Sequence, residues 1–590
     1  WEVKRVLGTV PVEGDGSALF RIPARTPISV QPLDAEGKAL ALMRSWMTAM
    51  PGENLSCVGC HERQNSTPTP RQTLALKVKP REITPWHGPL HGFSFARDVQ
   101  PMLDRYCVAC HDRATPENGQ IDLRADQGGF VVYEHGNPQL KRVDGQPREQ
   151  LVGKYSGVFE PSYAALRHFV RVGGLESDLH LLPPKEFHAD TSELVQMLKK
   201  GHHGVRLDAG AWDRLVTWID LNAPCNGTWK ETTRIPIAGQ PSRRLELRRA
   251  YGGIDDDAEA IPAAETRPVE PIRPQPVVRP VASVPSLAGW PLAAATAQAR
   301  QEAAGPAARA LELGGGLRME FVRIPAGSFI MGDPQGGEDE TPCCAVEIRD
   351  PFWMARFEVT NEQYRQFDPR HDSRFEHRTS WIFSDAYVGW PLNQPRQPVV
   401  RVSWDEALAF CQWLSARAGV RVNLPTEAQW EYACRAGTAT PWHYGGPEAD
   451  FSVFANLGDA SLKRLADEGW RPKAPDLVPR DNRFNDGSLV TAEVGSYRPN
   501  VWGLHDLHGN AAEWTRSTFQ PYPYAWQAEG PAGEKVVRGG SWRDRPKNCR
   551  SSSRLSYPAY QKIYNVGFRV IIEDDQRLLR ADRSGATGSR

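Results

Sequence analysis

Ten cysteines are spread over the chain, at positions 57, 60, 107, 110, 225, 343, 344, 411, 434 and 549. Four of them form two C-x-x-C pairs, each followed at once by histidine: Cys57-Val-Gly-Cys60-His61 and Cys107-Val-Ala-Cys110-His111. Two thiols three residues apart reach the two vinyl carbons of one porphyrin, and the adjacent imidazole then lies under the iron. The spacing predicts two covalent c-type haems, attached through Cys57, Cys60, Cys107 and Cys110, with His61 and His111 as proximal iron ligands. A four-cysteine zinc site would want its pairs about 15–20 residues apart, whereas 46 residues separate Cys60 from Cys107. A thioredoxin-type pair would sit in a βαβ unit, and neither does. The sixth iron ligand decides between a closed electron-transfer haem and an open, substrate-binding one. Candidates for the second haem are His188, His202, His203 and Met197, with the Gly201-His202-His203 run preferred.

These motifs need elements to hold them. Phe95, Val99, Met102, Leu103 and Tyr106 fall at helical spacing, so a helix over 93–106 leads into the second motif. Trp212, Leu215, Val216 and Ile219 share one face of a helix over 211–221. Thr191 reads as the N-cap of a helix over 191–200. Residues 10–22 alternate around Asp15-Gly16 and predict a hairpin in a small β-rich module. Prolines crowd 262–291 and alanines 293–310, which predicts a semi-rigid linker over 229–315 whose Ala-rich end could form a short helix. Beyond it the chain becomes Trp-rich and turn-rich, with helices at 404–418 and 426–436 and a polar tail at 574–590.

The 590 residues suggest about three or four folding units. Lys+Arg and Asp+Glu are both 71, so no net charge draws the chain to nucleic acid or an anionic membrane. The apolar runs are too short for a transmembrane segment. Because the sequence opens on Trp1, an initiator end and any signal peptide are expected upstream of it.

A helix leading into C-x-x-C-H and a C-terminal helix crossing it resemble the pair in class I cytochromes c. Residues 1–228 also resemble the middle region of the hydrazine synthase alpha subunit and its family of bacterial dihaem proteins. The likeness is carried by Leu42-Met-Arg-Ser-Trp46, Pro51-Gly-Glu-Asn-Leu-Ser-Cys-Val-Gly-Cys-His-Glu62 and Leu215-Val-Thr-Trp-Ile-Asp-Leu-Asn222. In that enzyme a tyrosine shortly after the haem histidine coordinates the active iron. Residues 62–84 contain no tyrosine, so hydrazine chemistry is not implied.

Residues 316–573 resemble the formylglycine-generating enzyme (sulfatase-modifying factor) domain. The ordered motifs include Phe321-Val-Arg-Ile-Pro-Ala-Gly-Ser-Phe-Ile-Met-Gly332, Phe357-Glu-Val-Thr-Asn-Glu-Gln-Tyr364 and Leu424-Pro-Thr-Glu-Ala-Gln-Trp-Glu-Tyr-Ala433. Further on come Gly503-Leu-His-Asp-Leu-His-Gly-Asn-Ala-Ala-Glu-Trp514, Arg538-Gly-Gly-Ser-Trp542 and Gly567-Phe-Arg-Val570. The resemblance implies two calcium sites, since closely spaced oxygens around tight turns suit a hard cation. One would use Asp506, Gly509, Ala511 and Glu513, the other Asn456, Leu457, Asp486 and Ser488; the alternative for each is a hydrogen-bonded turn without an ion. The resemblance also implies copper(I) between two cysteines. Aligned on Arg538–Trp542, Cys549 takes the second cysteine position but Asp544 the first, and a carboxylate cannot replace a soft thiolate on that ion. Cys549 then reads as a buried structural thiol and only a doubtful catalytic residue. Cys411 and Cys434 read as core.

The expected fold is multidomain: 1–84 a small β-rich module with the first haem, 85–228 a mainly α cytochrome c-like domain with the second, then the linker. A loop-rich α+β, C-type-lectin-like domain follows. The expected function is an exported, periplasmic dihaem cytochrome whose C-terminal domain serves recognition or docking, working with a redox partner protein or a small redox substrate. Two alternatives stay open: a metal-dependent oxidase of a thiol or protein cysteine fed by the haems, and a pure binding module.

Overall fold

The computed structural model describes residues 3–43, 46–58, 71–113, 120–134, 137–141, 158–172, 183–187, 189–232, 239–257, 259–261, 269–274, 284–377, 389–467, 478–523 and 533–573. The chain divides into two compact units, one of 1–195, 204–275 and 470–477, the other of 196–203, 276–469 and 478–590.

In the first unit the alternation over 10–22 does not close into a hairpin. Gly16 N donates to Glu13 O at 2.9 Å, so the turn forms. The flanking residues then bridge to a later segment, Thr9 with Thr84 and Phe20 with Arg81. The helix expected over 93–106 has two parts, a π-turn Phe95–Val99 capped by Ser94 and α1 (Gln100–Tyr106). Pro101 has no N–H for the carbonyl four residues back, and the turn before it widens. An antiparallel sheet orders Asn137–Lys141, Phe130–Glu134 and Val158–Phe159.

Two further helices of this unit are α2 (Pro161–Arg167) and α4 (Ala209–Asp220); between them in sequence comes α3 (Glu193–Lys199), whose residues 196–199 are grouped with the second unit. Thr191 does not cap α3. It sits in a 3-10 turn, and its hydroxyl donates to Glu186 O at 2.9 Å, so the helix opens only at Glu193. Asp208 caps α4 by accepting from Ala211 N at 2.8 Å, which starts that helix two residues earlier than its apolar face indicates. Phe95, Tyr163 and Trp218 meet at ring-centroid distances of 5.2 and 5.3 Å from Phe95. This joins α2 and α4 to the turn that begins α1. At the end of α4, buried Asp220 accepts from Ala39 N at 2.7 Å and Ala189 N at 3.0 Å.

The linker expected over 229–315 is shorter at both ends. Gln240–Leu247 is helical, and Asp256 pairs with Arg5 at 2.6 Å. At the far end the alanines form α5 (Ala294–Ala303), which is anchored in the second unit. Gln301 Nε2 donates to Arg323 O at 2.8 Å and Trp502 O at 2.9 Å, while Trp502 Nε1 donates to Ala297 O at 3.0 Å.

The second unit is built on a five-stranded antiparallel sheet whose spatial order is Val422–Asn423, Ile571–Glu573, Phe352–Ala355, Leu317–Ile324 and Ala308–Gly314. A four-stranded mixed sheet orders Arg554–Tyr557, Lys535–Arg538, Ala512–Thr518 and Val566–Gly567. Both helices expected here form, α6 (Trp404–Ala418) and α7 (Glu427–Arg435), each opened by a capping box, Ser403 with Glu406 and Thr426 with Gln429. Phe410 of α6 is buried in one core with Trp514, Trp542 and Phe568, and Trp430 and Ala433 of α7 in a second with Phe329 and Trp502. Among the described residues no helix is long and apolar enough to cross a membrane.

Candidate functional site

In the first unit the second C-x-x-C-H motif is one continuous turn off the end of α1. Cys107 N donates to Leu103 O at 2.8 Å, and Cys110 N and His111 N both return to Cys107 O, at 3.1 and 2.9 Å. The three chemically active residues are thereby wound onto one carbonyl. His111 Nδ1 lies 3.0 Å from Ile121 O. A carbonyl only accepts, so Nδ1 carries the proton and Nε2 the lone pair, the tautomer a metal-binding imidazole needs. Leu123 N donates to His111 O at 2.9 Å, and Gln100 Nε2 donates to Leu123 O at 3.0 Å, so the 121–123 segment is tied both to the histidine and to α1. Burial pushes the Cys107 thiol up to about 12, while Cys110 is exposed.

Cys57 of the first motif is exposed; Cys60 and His61 lie outside the described residues, as does His188. Met197, His202 and His203 belong to 196–203, grouped with the second unit. His202 and His203 are packed edge to face, 4.6 Å apart.

In the second unit, Cys549 is fully buried and its thiol donates weakly to the backbone carbonyl of Asp544 at 3.7 Å. The Asp544 carboxylate meets a different partner. Its Oδ2 accepts from Ser541 N at 2.9 Å and Ser541 Oγ at 2.6 Å, and Asn565 Nδ2 donates to that same hydroxyl at 2.8 Å. Gly540 lies over the thiol at φ +68°, where a Cβ would come 2.3 Å from Cys549 Sγ. The pair does not fit copper(I): one position offers an oxygen anion fixed by hydrogen bonds, and the other a thiol wedged under a glycine turn. Beside it, His508 donates from Nδ1 to Cys549 O at 2.7 Å and accepts at Nε2 from His443 N at 3.2 Å. Burial depresses His508 to about 4, so it stays neutral. Cys434 Sγ is 3.5 Å from His508 Nε2, and burial raises its thiol to about 12.

The 506–511 turn gathers more charge than the motif alone suggests. Asp506 and Asn510 take left-handed backbone conformations, and a Cβ at Gly509 would stand 2.0 Å from Asn456 O. Asp506 Oδ2 accepts from Gly495 N at 2.7 Å. Glu513 is held by three bonds: Arg569 donates to its two oxygens at 2.6 and 2.7 Å, and Trp430 Nε1 adds a third at 2.7 Å. Glu358, which sequence reasoning missed, joins them. Its Oε1 accepts from Asn510 Nδ2 at 3.1 Å, and burial, with the Asp506 charge next, holds its carboxyl well above the usual range. Its one signal in the sequence is an acid set between Phe357 and Val359.

At the other turn the acids are already engaged. Asp486 accepts from Leu457 N and Ser488 N, both at 2.8 Å. Burial and the nearby Asp459 lift it to about 7. Asp459, also missed, accepts from Ser461 N at 2.8 Å and from Asp486 N. Asn456 Oδ1 is buried without a hydrogen-bond partner. Among the described residues no group of three or more His, Cys, Asp or Glu side chains is arranged to hold a metal ion unaided, so either turn would depend on backbone carbonyls as well.

Residues 316–574 match the sulfatase-modifying factor enzyme 1-like domain, and residues 1–62 match the hydrazine synthase alpha subunit middle domain. The formylglycine-generating enzyme of Streptomyces coelicolor is 31% identical over 318 residues, 46% of this chain and 93% of that protein. The inactive C-alpha-formylglycine-generating enzyme 2 of Bos taurus is 28% identical over 304 residues, 44% of this chain and 90% of that protein. Among solved structures, PvdO from Pseudomonas aeruginosa is 27% identical with a TM-score of 0.36, covering 46% of this chain and 99% of its own.

Proposed function

Because the chain belongs to the sulfatase-modifying factor family through residues 316–574, we propose that this domain is a non-catalytic recognition or docking module joined to an exported dihaem c-type cytochrome. The observation that carries the redox half is the posture of His111. Its Nδ1–H is given to Ile121 O, and its backbone is tied to Cys107 O within the C-x-x-C-H turn. That turn would hold a haem through Cys107 and Cys110 with His111 as the axial base, and Cys57, Cys60 and His61 would hold a second. Haem bound there supplies one-electron chemistry at iron. The chain's own part is to lock the imidazole's tautomer and orientation. Close in sequence to the first motif, Trp46, Met50, Leu55 and Val58 are each exposed, apolar side chains that a bound porphyrin would cover. Covalent attachment of c-type haem takes place outside the cytoplasm, which is the basis for export. A redox protein or small redox substrate is the partner class.

Formylglycine synthesis is disfavoured by the Asp544 carboxylate, which is committed to Ser541. Calcium would be held at the 506–511 turn through Asp506 and backbone carbonyls, and at the 456–488 turn through Asp486 and Asn456, whose buried Oδ1 has no hydrogen-bond partner. Intact-mass and visible spectra of protein from a host with a working haem-maturation pathway test the reading. Two haem additions per chain and a reducible c-type spectrum are expected; the bare polypeptide mass would overturn it. Copper(I) titration is expected to show no stoichiometric site.

A further inference from the structure

Gln100 opens α1, is buried, and uses each polar atom of its side chain. Its Nε2 donates to Leu123 O at 3.0 Å and to Asp104 Oδ1 at 2.7 Å. Ser162 Oγ, on α2 and fully buried, donates to its Oε1 at 2.7 Å. A carbonyl and a carboxylate on one side and a hydroxyl on the other leave the amide a single orientation. Leu123, itself buried, is thereby held at both backbone groups, its carbonyl by Gln100 and its N–H by His111 O at 2.9 Å. Two residues back, Ile121 O faces His111 Nδ1 at 3.0 Å. The carbonyl that orients the imidazole thus belongs to a three-residue run whose far end is pinned by a buried amide. The same helix carries the C-x-x-C-H turn at its other end, where Cys107 N donates to Leu103 O. Helix formation does not call for this side chain: Ser94 already caps the turn that precedes α1. A buried amide is costly unless every bond is made, and an apolar residue of the same length would fill the space without that demand.

We infer that Gln100, oriented by Ser162, is the positioning residue for His111: it fixes the 121–123 segment so that Ile121 O keeps hold of the imidazole Nδ1–H. The inference rests on the reading that a haem is attached at Cys107 and Cys110, and adds which side chain outside the motif tunes the axial base. A hydrogen bond at its second nitrogen makes an imidazole a stronger donor, which favours oxidised iron. Loosening the segment should therefore raise the reduction potential.

The test uses the haem-loaded full chain and compares Gln100→Met with Tyr163→Phe. The first keeps the side-chain length and removes its hydrogen bonds. The second removes a different buried bond of α2, made to Ala223 O at 2.9 Å rather than to the 121–123 segment. In a redox titration of Gln100→Met, one of the two one-electron waves should move upward by at least two-fold in the oxidised-to-reduced ratio, about 18 mV at 59 mV per decade. Hydrogen exchange at the Leu123 amide should be at least ten-fold faster in Gln100→Met than in Tyr163→Phe. A smaller displacement, an equal one in Tyr163→Phe, or Leu123 exchange no faster than in Tyr163→Phe overturns the inference and leaves the haem reading standing. If the unsubstituted chain carries no haem at Cys107 and Cys110, the haem reading fails and the inference with it. Should circular dichroism show Gln100→Met unfolded, Ser162→Ala decides. That change frees the amide to turn, so the same wave should move upward by more than in Tyr163→Phe, and an unmoved wave overturns the inference.

Discussion

Replacing Gly540 by alanine measures how firmly Cys549 is held away from metal chemistry. The new Cβ would lie 2.3 Å from Cys549 Sγ, 3.1 Å from its Cβ and 3.2 Å from Asn548 O, on a backbone at φ +68°. A left-handed alanine costs about 1–2 kcal/mol, and forcing an atom into a filled core costs about 1–3 kcal/mol more. The sum is roughly 2–5 kcal/mol, or about 10 °C in the midpoint of a unit of this size at roughly 2–4 °C per kcal/mol. Cys549→Ala removes the closest clash but leaves the backbone strain and the contact with Asn548 O. The double variant should therefore be less destabilised than the two single changes added together, by about 1–3 kcal/mol. Differential scanning calorimetry of the full chain, following the second unit's transition, reads all three variants. If the changes were additive within about 0.5 kcal/mol, Sγ would not abut Gly540, and the account of why this thiol is withheld would be wrong.

Gln301→Ala should strip two buried carbonyls, Arg323 O and Trp502 O, of their donor and cost about 2–3 kcal/mol; faster proteolysis within 294–303 would register it. Glu513→Gln removes the charge that balances buried Arg569, and equilibrium denaturation should show a loss of about 3–5 kcal/mol. Asp220 is raised from 3.8 to about 7, first by burial and then by the Asp190 and Asp34 charges. A raised folded value means the native state holds a proton the unfolded chain has released, so the contribution to stability is full below about 4 and is lost as pH rises through about 7. Denaturation of the first unit between pH 4 and 8 should show stability falling across that window, and Asp220→Asn should flatten the curve.

What could be read from the sequence was local. α6 matches its expected span because Ser403, the spaced Ala407, Phe410, Cys411 and Leu414, and Gly419 at φ 64° all act within 17 residues. α7 follows Thr426 in the same way. The hairpin over 10–22 failed because pairing with Arg81 and Thr84 is a tertiary choice that alternation cannot show. That the alanines after Ala293 could form a short helix was legible, but its docking was not, because Trp502, which holds it, lies more than 190 residues further along. Thr191 has the right residue type for a cap, but Glu186 claims its hydroxyl. Glu358 and Asp459 were invisible for a related reason: each acquires its meaning only from an acid on a distant segment.

The anchoring of α5 bears on how the second unit would carry load. Ala308–Gly314, at the rim of the five-stranded sheet, is the first strand met on entering that unit from the N-terminal side. Were the chain simply threaded into it, tension along the proline-rich stretch would unzip that rim one bond at a time. The pull is met before the sheet, first at Leu292 N, which donates to Gly437 O at 2.8 Å, and then at the three bonds of the Gln301 and Trp502 clasp.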